Sequence, residues 1–314
     1  MAKDNESLEK SREIRSKILA KYGFIPTSII SPNYAWGKHV IELDERKQDF
    51  KAVEKHIQMK YNVRTFETQS GETKQFNQSL DEFAMSSKKV RGKTAGLSTF
   101  PPDLARFIVL FYSEEGDHVG DPFAGHNSRM QVTYELNRSY TGYDICKEFI
   151  EFMYRVAQEI QGKGSQQLLF KSQHSITIRE QTSEHMVEAD NTFDMIYTSP
   201  PYSVEFYDDN PLQIGYKEDY KAMLQRLMQV LSECYRTLKK DKFCIWNIND
   251  FRKDNVFYPF HVDIIKIFQK IGFKLHDIGI IKWQGCLGSC FASQLEERKM
   301  LAKSHEYIVV GKKV

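Results

Sequence analysis

The chain has 314 residues, 41% of them apolar, and its 44 Lys and Arg against 42 Asp and Glu leave a net charge of +2. That is enough for one large domain or a domain with an extension, and no run approaches the roughly 18 consecutive apolar residues of a membrane helix. Five scattered cysteines, an odd number, argue against a disulfide framework.

The opening Met-Ala-Lys-Asp-Asn-Glu carries no signal-peptide apolar stretch, so a reducing, cytoplasmic setting is expected. Cys286 and Cys290 lack a second close Cys or His pair, and no metal is expected. Charge is uneven: residues 1–95 hold 18 Lys and Arg against 13 Asp and Glu, and the rest hold 26 against 29. A basic excess is usually a solvated surface, and otherwise a neighbour of phosphate.

In chain order, Leu8, Ile14, Ile18 and Leu19 give a helical stripe closed by Gly23, and Phe50, Val53 and Ile57 fit a second. Residues 62–76 are polar and read as a loop. The expectation is a helical N-terminal extension over 1–95, a candidate for target recognition. From residue 96 strands and helices alternate. Pro101-Pro102 opens a helix with Leu104, Phe107, Ile108 and Phe111 on one side. Strands are predicted near 116–121, 139–143, 167–171, 193–197, 243–248, 273–283 and 307–310, with helices after 128, over 147–160, 217–238 and 261–271. Such alternation predicts an α/β fold, a Rossmann-like, doubly wound, mostly parallel sheet, and the closely spaced last pair predicts an antiparallel edge.

Two junctions carry chemistry. Asp121-Pro122-Phe123-Ala124-Gly125 lies where the first of these strands hands over to a helix, and glycine there lets backbone approach a ligand closely. Asp144, at the tip of the next strand, is placed to accept both hydroxyls of a ribose. Each aspartate is equally a helix cap when taken alone. Further on, the apolar run Phe193–Tyr197 meets Ser199-Pro200-Pro201-Tyr202. Two prolines in succession end a strand and fix a stiff turn, leaving the carbonyls of Ser199 and Pro200 as acceptors beside a hydroxyl and an aromatic face. Alone, the tetrapeptide is as readily a strand stop.

In combination and in this order, the segments Phe100-Pro-Pro-Asp, Asp121-Pro-Phe-Ala-Gly, Thr141-Gly-Tyr-Asp-Ile145 and Thr198-Ser-Pro-Pro-Tyr resemble the DNA methyltransferases that modify exocyclic base amines, cytosine-N4 and adenine-N6. The resemblance spans roughly residues 96–314. It implies S-adenosylmethionine as cofactor, flanked by Thr99 and Phe100, lined by Asp121, Pro122, Phe123, Ala124 and Gly125, and held at its ribose by Asp144 with Ile145. It implies double-stranded DNA as partner, with the target base flipped out onto Tyr202 while Ser199 and the carbonyl of Pro200 take the amine hydrogens and Pro201 stiffens the turn. Neither a membrane nor a metal is implied.

The sequence departs from that pattern at His126-Asn127-Ser128, where Ser-Gly-Thr is usual, and at Gly96-Leu97-Ser98, where His-Pro-Ala is usual. The acidic residue expected after the third strand is left unassigned, Glu180 being a poor match. Ser ahead of Pro-Pro-Tyr goes with cytosine-N4 in such enzymes, so cytosine-N4 is the expectation, within restriction-modification, phage protection or regulation. Adenine-N6 methylation, methylation of RNA or of a protein amide, and a non-catalytic nucleic-acid-binding member of the fold are the alternatives.

Overall fold

Eight strands form one sheet in the computed structural model, which describes residues 13–22, 26–30, 64–67, 73–76, 100–125, 127–167, 174–202, 210–282, 299–301 and 304–314. The strands are β1 (Ile29–Ile30), β4 (His118–Asp121), β5 (Ser139–Asp144), β6 (Ile176–Glu180), β7 (Phe193–Thr198), β8 (Leu238–Ile248), β11 (Lys274–Lys282) and β12 (His305–Lys312). Their order across the sheet is β1-β11-β12-β8-β7-β4-β5-β6. Strands β4 to β8 pair in parallel, and β12 runs antiparallel to both neighbours. The chain winds outward from β4 to β6, then crosses back to β7 beside β4 and continues the other way. The doubly wound, mostly parallel sheet with an antiparallel pair towards one edge is the fold that the sequence predicts.

Burial explains why β7 reads as one apolar run. All six of its residues are buried. Ile196 joins one cluster with Trp246 and Val309; Met195 and Tyr197 point into another with Ile245. A strand covered on both faces shows no polar alternation. One face is covered by α5 (Tyr220–Thr237) and α6 (Phe260–Ile271), whose buried Met223, Leu227, Val230, Leu231 and Cys234, and Phe260, Ile264 and Phe268, recur at helical spacing. Asp219 caps α5 by accepting from the Ala222 N–H at 2.8 Å. Helix α2 (Pro102–Tyr112) buries Leu104, Phe107 and Ile108 on the other face. Helix α3 (Ser128–Glu135) packs on α2, and α4 (Lys147–Gln167) packs on β5 and β6. Among the described residues no helix is long and apolar enough to cross a membrane.

The strand expected at 167–171 lies outside the described residues except at Gln167, which ends α4; the described strand that pairs with β5 is β6, from Tyr140↔Ile176 to Asp144↔Glu180. Two other expectations change. A hairpin of β9 (Phe251–Lys253) and β10 (Val256–Tyr258), turning at Asp254 and Asn255 with positive φ, comes after β8 and was not foreseen. Within 1–95 the described residues hold helix α1 (13–22), the short β1 pairing with β11, and a hairpin of β2 (Arg64–Glu67) and β3 (Thr73–Phe76) where a loop was read. The helix centred on Val53 and the Cys286–Cys290 pair lie outside the described residues.

Candidate active site

A cleft of about 210 Å³ opens at the carboxyl ends of β4, β5, β7 and β8. This is where the strand order reverses, the general ligand position of open α/β sheets. Each wall is built from the end of a strand and the loop or turn that leaves it.

The first wall is the loop after β4. Pro122 cannot extend the ladder, and Gly125 has φ +53°, a left-handed value that only glycine adopts freely. The loop is tied down from both sides. The Ala124 N–H donates to the Tyr143 carbonyl at 2.8 Å, and the Gly125 N–H to Asp144 Oδ2 at 2.7 Å. Beneath it the Asp121 carboxylate, almost wholly buried, accepts from Arg129 Nε (2.7 Å), Tyr140 OH (2.9 Å), Thr198 Oγ1 (2.6 Å) and the Phe123 N–H (3.3 Å). Arg129 Nη2 in turn donates to the carbonyls of Phe123 (2.6 Å) and Ala124 (3.1 Å). Its guanidinium lies 4.9 Å over the Phe100 ring. A buried ion pair endures when further hydrogen bonds support it, as those from Tyr140 and Thr198 and to the loop carbonyls do here. The pair clamps the loop backbone.

The second wall is the tip of β5. Asp144 accepts from the Gly125 N–H and, at 2.8 Å, from the Cys146 N–H. Burial pushes its carboxyl up to about 6, and the backbone hydrogen bonds pull the other way. Ile145, Cys146 and Phe149 continue this wall, and Gln181, Thr182 and Ser183 after β6 extend it.

The third wall is the end of β7. Ser199, Pro200, Pro201 and Tyr202 all line the cleft. The Ser199 and Tyr202 hydroxyls are hydrogen-bonded to each other. Asn247 Nδ2 on β8 donates to Tyr202 OH at 2.9 Å and to Glu306 Oε2 on β12 at 2.9 Å.

The cleft therefore brings together Phe100, Pro122, Phe123, Gly125, Asp144, Ile145 and the whole of 199–202. Asp121 and Ala124 stand behind the loop rather than on its surface, and Thr99 lies outside the described residues. Arg129, Asn247 and Glu306 also line the cleft and were missed. A signal existed for Asn247, a polar residue inside the apolar strand Phe-Cys-Ile-Trp-Asn-Ile, and for Glu306 at the start of an apolar strand. Arg129 gave none.

The model of the DNA methylase family that unites N6- and N4-type enzymes matches residues 16–156 and 193–313. The Type II methyltransferase M.XycI of Xanthomonas campestris pv. cyanopsidis is 35% identical over 71 residues, 23% of either chain. M.BglII, named a Type II methyltransferase in Bacillus subtilis, is 37% identical over 57 residues, 18% of this chain and 16% of its own. The chain thus matches less than a quarter of the length of these curated relatives. Among solved structures, a SAM-dependent methyltransferase of Methanosarcina mazei has a TM-score of 0.43 and 11% identity over 69% of this chain and 99% of that one. Magnesium protoporphyrin IX methyltransferase of Synechocystis PCC 6803 has a TM-score of 0.43 and 14% identity over 75% and 95%. The family match covers most of the chain and runs through both the Asp121–Gly125 loop and the Ser199–Tyr202 turn, and this protein belongs to the DNA methylase family.

Proposed function

We propose that the protein transfers a methyl group from S-adenosylmethionine to the exocyclic amine of a flipped-out base in duplex DNA, with cytosine N4 as the target. The observation that carries this reading is the shared cleft. The Gly125–Asp144 corner and the Ser199–Tyr202 turn face one cavity.

The residues present fit the cofactor. Each Asp144 oxygen already accepts one backbone N–H and keeps a lone pair for one hydroxyl of a vicinal diol. Phe100, Phe123 and Ile145 supply apolar surface, and Asp121 with Ala124 serves by holding the loop. When bound, the cofactor supplies an electrophilic methyl on its sulfonium.

The remaining work falls to the chain. An aromatic amine is a weak nucleophile because its lone pair is delocalised into the ring. Ser199 Oγ and the Pro200 carbonyl accept its two hydrogens, draw the nitrogen towards a tetrahedral arrangement and free the lone pair. Rigid placement of two acceptors is preorganised electrostatics, so neither a strong base nor a catalytic cysteine is required. The Tyr202 ring is the platform for the extruded base. Serine ahead of the two prolines supports cytosine over adenine. The Type II names of M.XycI and M.BglII support a role in restriction-modification. The basic excess of residues 1–95 supports a DNA-recognition role for that region beside a catalytic domain over 96–314.

The test is transfer of labelled methyl from S-adenosylmethionine into unmethylated DNA, with nucleoside analysis of the product. N4-methylcytosine is expected. N6-methyladenine overturns the target base and leaves the mechanism standing, while absence of label in DNA overturns the proposal.

A further inference from the structure

Strands β8 and β12, which give Asn247 and Glu306 to the cleft, lead outward at the same carboxyl edge into a second concave surface. Just beyond Ile248, β8 runs into the β9–β10 hairpin; just ahead of His305, the chain passes through Lys299 and Met300. Arg252 and Asn255 of the hairpin, with Lys299 and Met300, line an open concavity of about 310 Å³.

The hairpin is firmly mounted, and its two faces differ. Phe251 and Tyr258 are stacked, 4.9 Å between centroids and 12° between planes, and lie 5.9 and 4.7 Å from Tyr220 at the start of α5. Phe260, at the start of α6, closes this aromatic cluster 6.2 Å from Phe251. The next cross-strand pair, Arg252↔Phe257, points the other way. Both residues are exposed, and the guanidinium lies 5.0 Å from the Phe257 ring centroid. A ring face holds a guanidinium in place without neutralising its charge.

That charge is left uncompensated. Among the described residues no carboxylate pairs with Arg252, Lys253 or Lys299, all three exposed. At the opposite edge of the sheet, by contrast, Lys239 pairs with Asp194, Lys242 with Asp117 and Lys312 with Asp241. The hairpin carries one acid of its own, Asp254 at the turn, and the surface keeps a positive excess.

We propose that this concavity binds the sugar-phosphate backbone of the substrate duplex beside the flipped base, with Arg252 and Lys299 as the phosphate contacts. This rests on the reading of the cleft as a site of DNA methylation. An extruded base stays tied to its own sugar and phosphates, so the strand that carries it must run past the mouth of the base wall. Strands β8 and β12 help to form that wall, and the two cations lie on their outward extensions. Contacts of this kind fix the register of the duplex and read no sequence. The planar donor fork of Arg252, steadied on Phe257, matches a phosphate's oxygens.

The experiment is equilibrium binding of the full-length protein to duplex DNA over a series of NaCl concentrations, with S-adenosylmethionine affinity, thermal midpoint and wild-type methyl transfer measured alongside. Each phosphate contact releases counterions. Arg252→Gln and Lys299→Gln should therefore each lower the slope of log affinity against log salt by about 0.9, and the double variant by about 1.8. Arg252→Lys keeps the charge and should keep the slope. The losses should be equal on duplexes of unrelated sequence, with cofactor affinity and thermal midpoint at wild-type values.

A wild-type slope in the double variant overturns this inference alone, as does a loss confined to one DNA sequence or matched by lost cofactor affinity. A wild-type protein that neither binds nor methylates DNA overturns the functional reading and this inference with it.

Discussion

At Asp144 one carboxylate ties down the loop and is also the proposed partner of the cofactor's ribose. Its oxygens cap the Gly125 and Cys146 N–H groups, yet burial still raises its carboxyl to about 6. A carboxyl raised above its ordinary value is protonated more readily in the folded chain, and only the ionised form accepts from two hydroxyls without competition from its own hydrogen. Affinity for S-adenosylmethionine is therefore expected to be full above pH 7 and to weaken as pH falls through about 6. Calorimetry across pH 5–8 checks this. Asp144→Ala should bind roughly 10- to 100-fold more weakly at pH 8, the scale of losing hydrogen bonds to a charged group, with the pH dependence flattened. A flat wild-type profile would remove Asp144 from the site. At the facing wall the expectation is the reverse. Ser199→Ala should abolish methyl transfer while cofactor affinity stays within about twofold, because a surface change away from a ligand alters little.

The loop after β4 keeps its shape through an element-level device, the close approach of β5 beneath it. A Cβ added at Gly142 would lie 2.6 Å from the Tyr140 ring and 2.9 Å from Ala124 Cβ. Tyr140 cannot yield cheaply, since its hydroxyl is one of the Asp121 donors. Gly142→Ala should lower stability by about 1–3 kcal/mol, the cost of overpacking, and weaken cofactor binding. Denaturant unfolding and cofactor titration of the same variant test both halves of that statement. Legibility in the sequence divides along the same line between local and distant causes. The Asp121–Gly125 and Ser199–Tyr202 segments were readable because proline and glycine dictate backbone locally. The strand expected near 167–171 lies, but for Gln167, outside the described residues. The Asp254-Asn255 turn of the β9–β10 hairpin did carry a local signal, two residues that tolerate positive φ between aromatic-containing strands. Arg129, Asn247 and Glu306 depend on partners 8, 45 and 59 residues away in the chain, and no local rule names such pairs.

Across the whole molecule, the sheet divides at β4 and β7, whose pairing spans only Val119↔Met195 and Gly120↔Ile196. Strands β4 to β6 carry the corner assigned to the cofactor; β7, β8 and β12 carry the wall assigned to the base. Thr198 bridges them at the carboxyl edge. Its hydroxyl donates to Asp121 Oδ1 at 2.6 Å and accepts from the Phe123 N–H at 3.1 Å, and the next residue is Ser199. Thr198 is fully buried, so no water can replace the hydroxyl if it is removed. Thr198→Val keeps the shape and leaves one Asp121 lone pair and one N–H without this partner, a loss of about 1–3 kcal/mol in stability. Because the clamp under the loop and the start of the turn proposed to be catalytic share this atom, cofactor affinity and transfer rate should both decline, each by roughly tenfold on the same energy scale. Asp144→Ala should move affinity alone, and Ser199→Ala the rate alone. Calorimetry and single-turnover transfer on the three variants decide the matter. If Thr198→Val moves only one quantity, the two halves of the sheet are coupled elsewhere than through this hydroxyl.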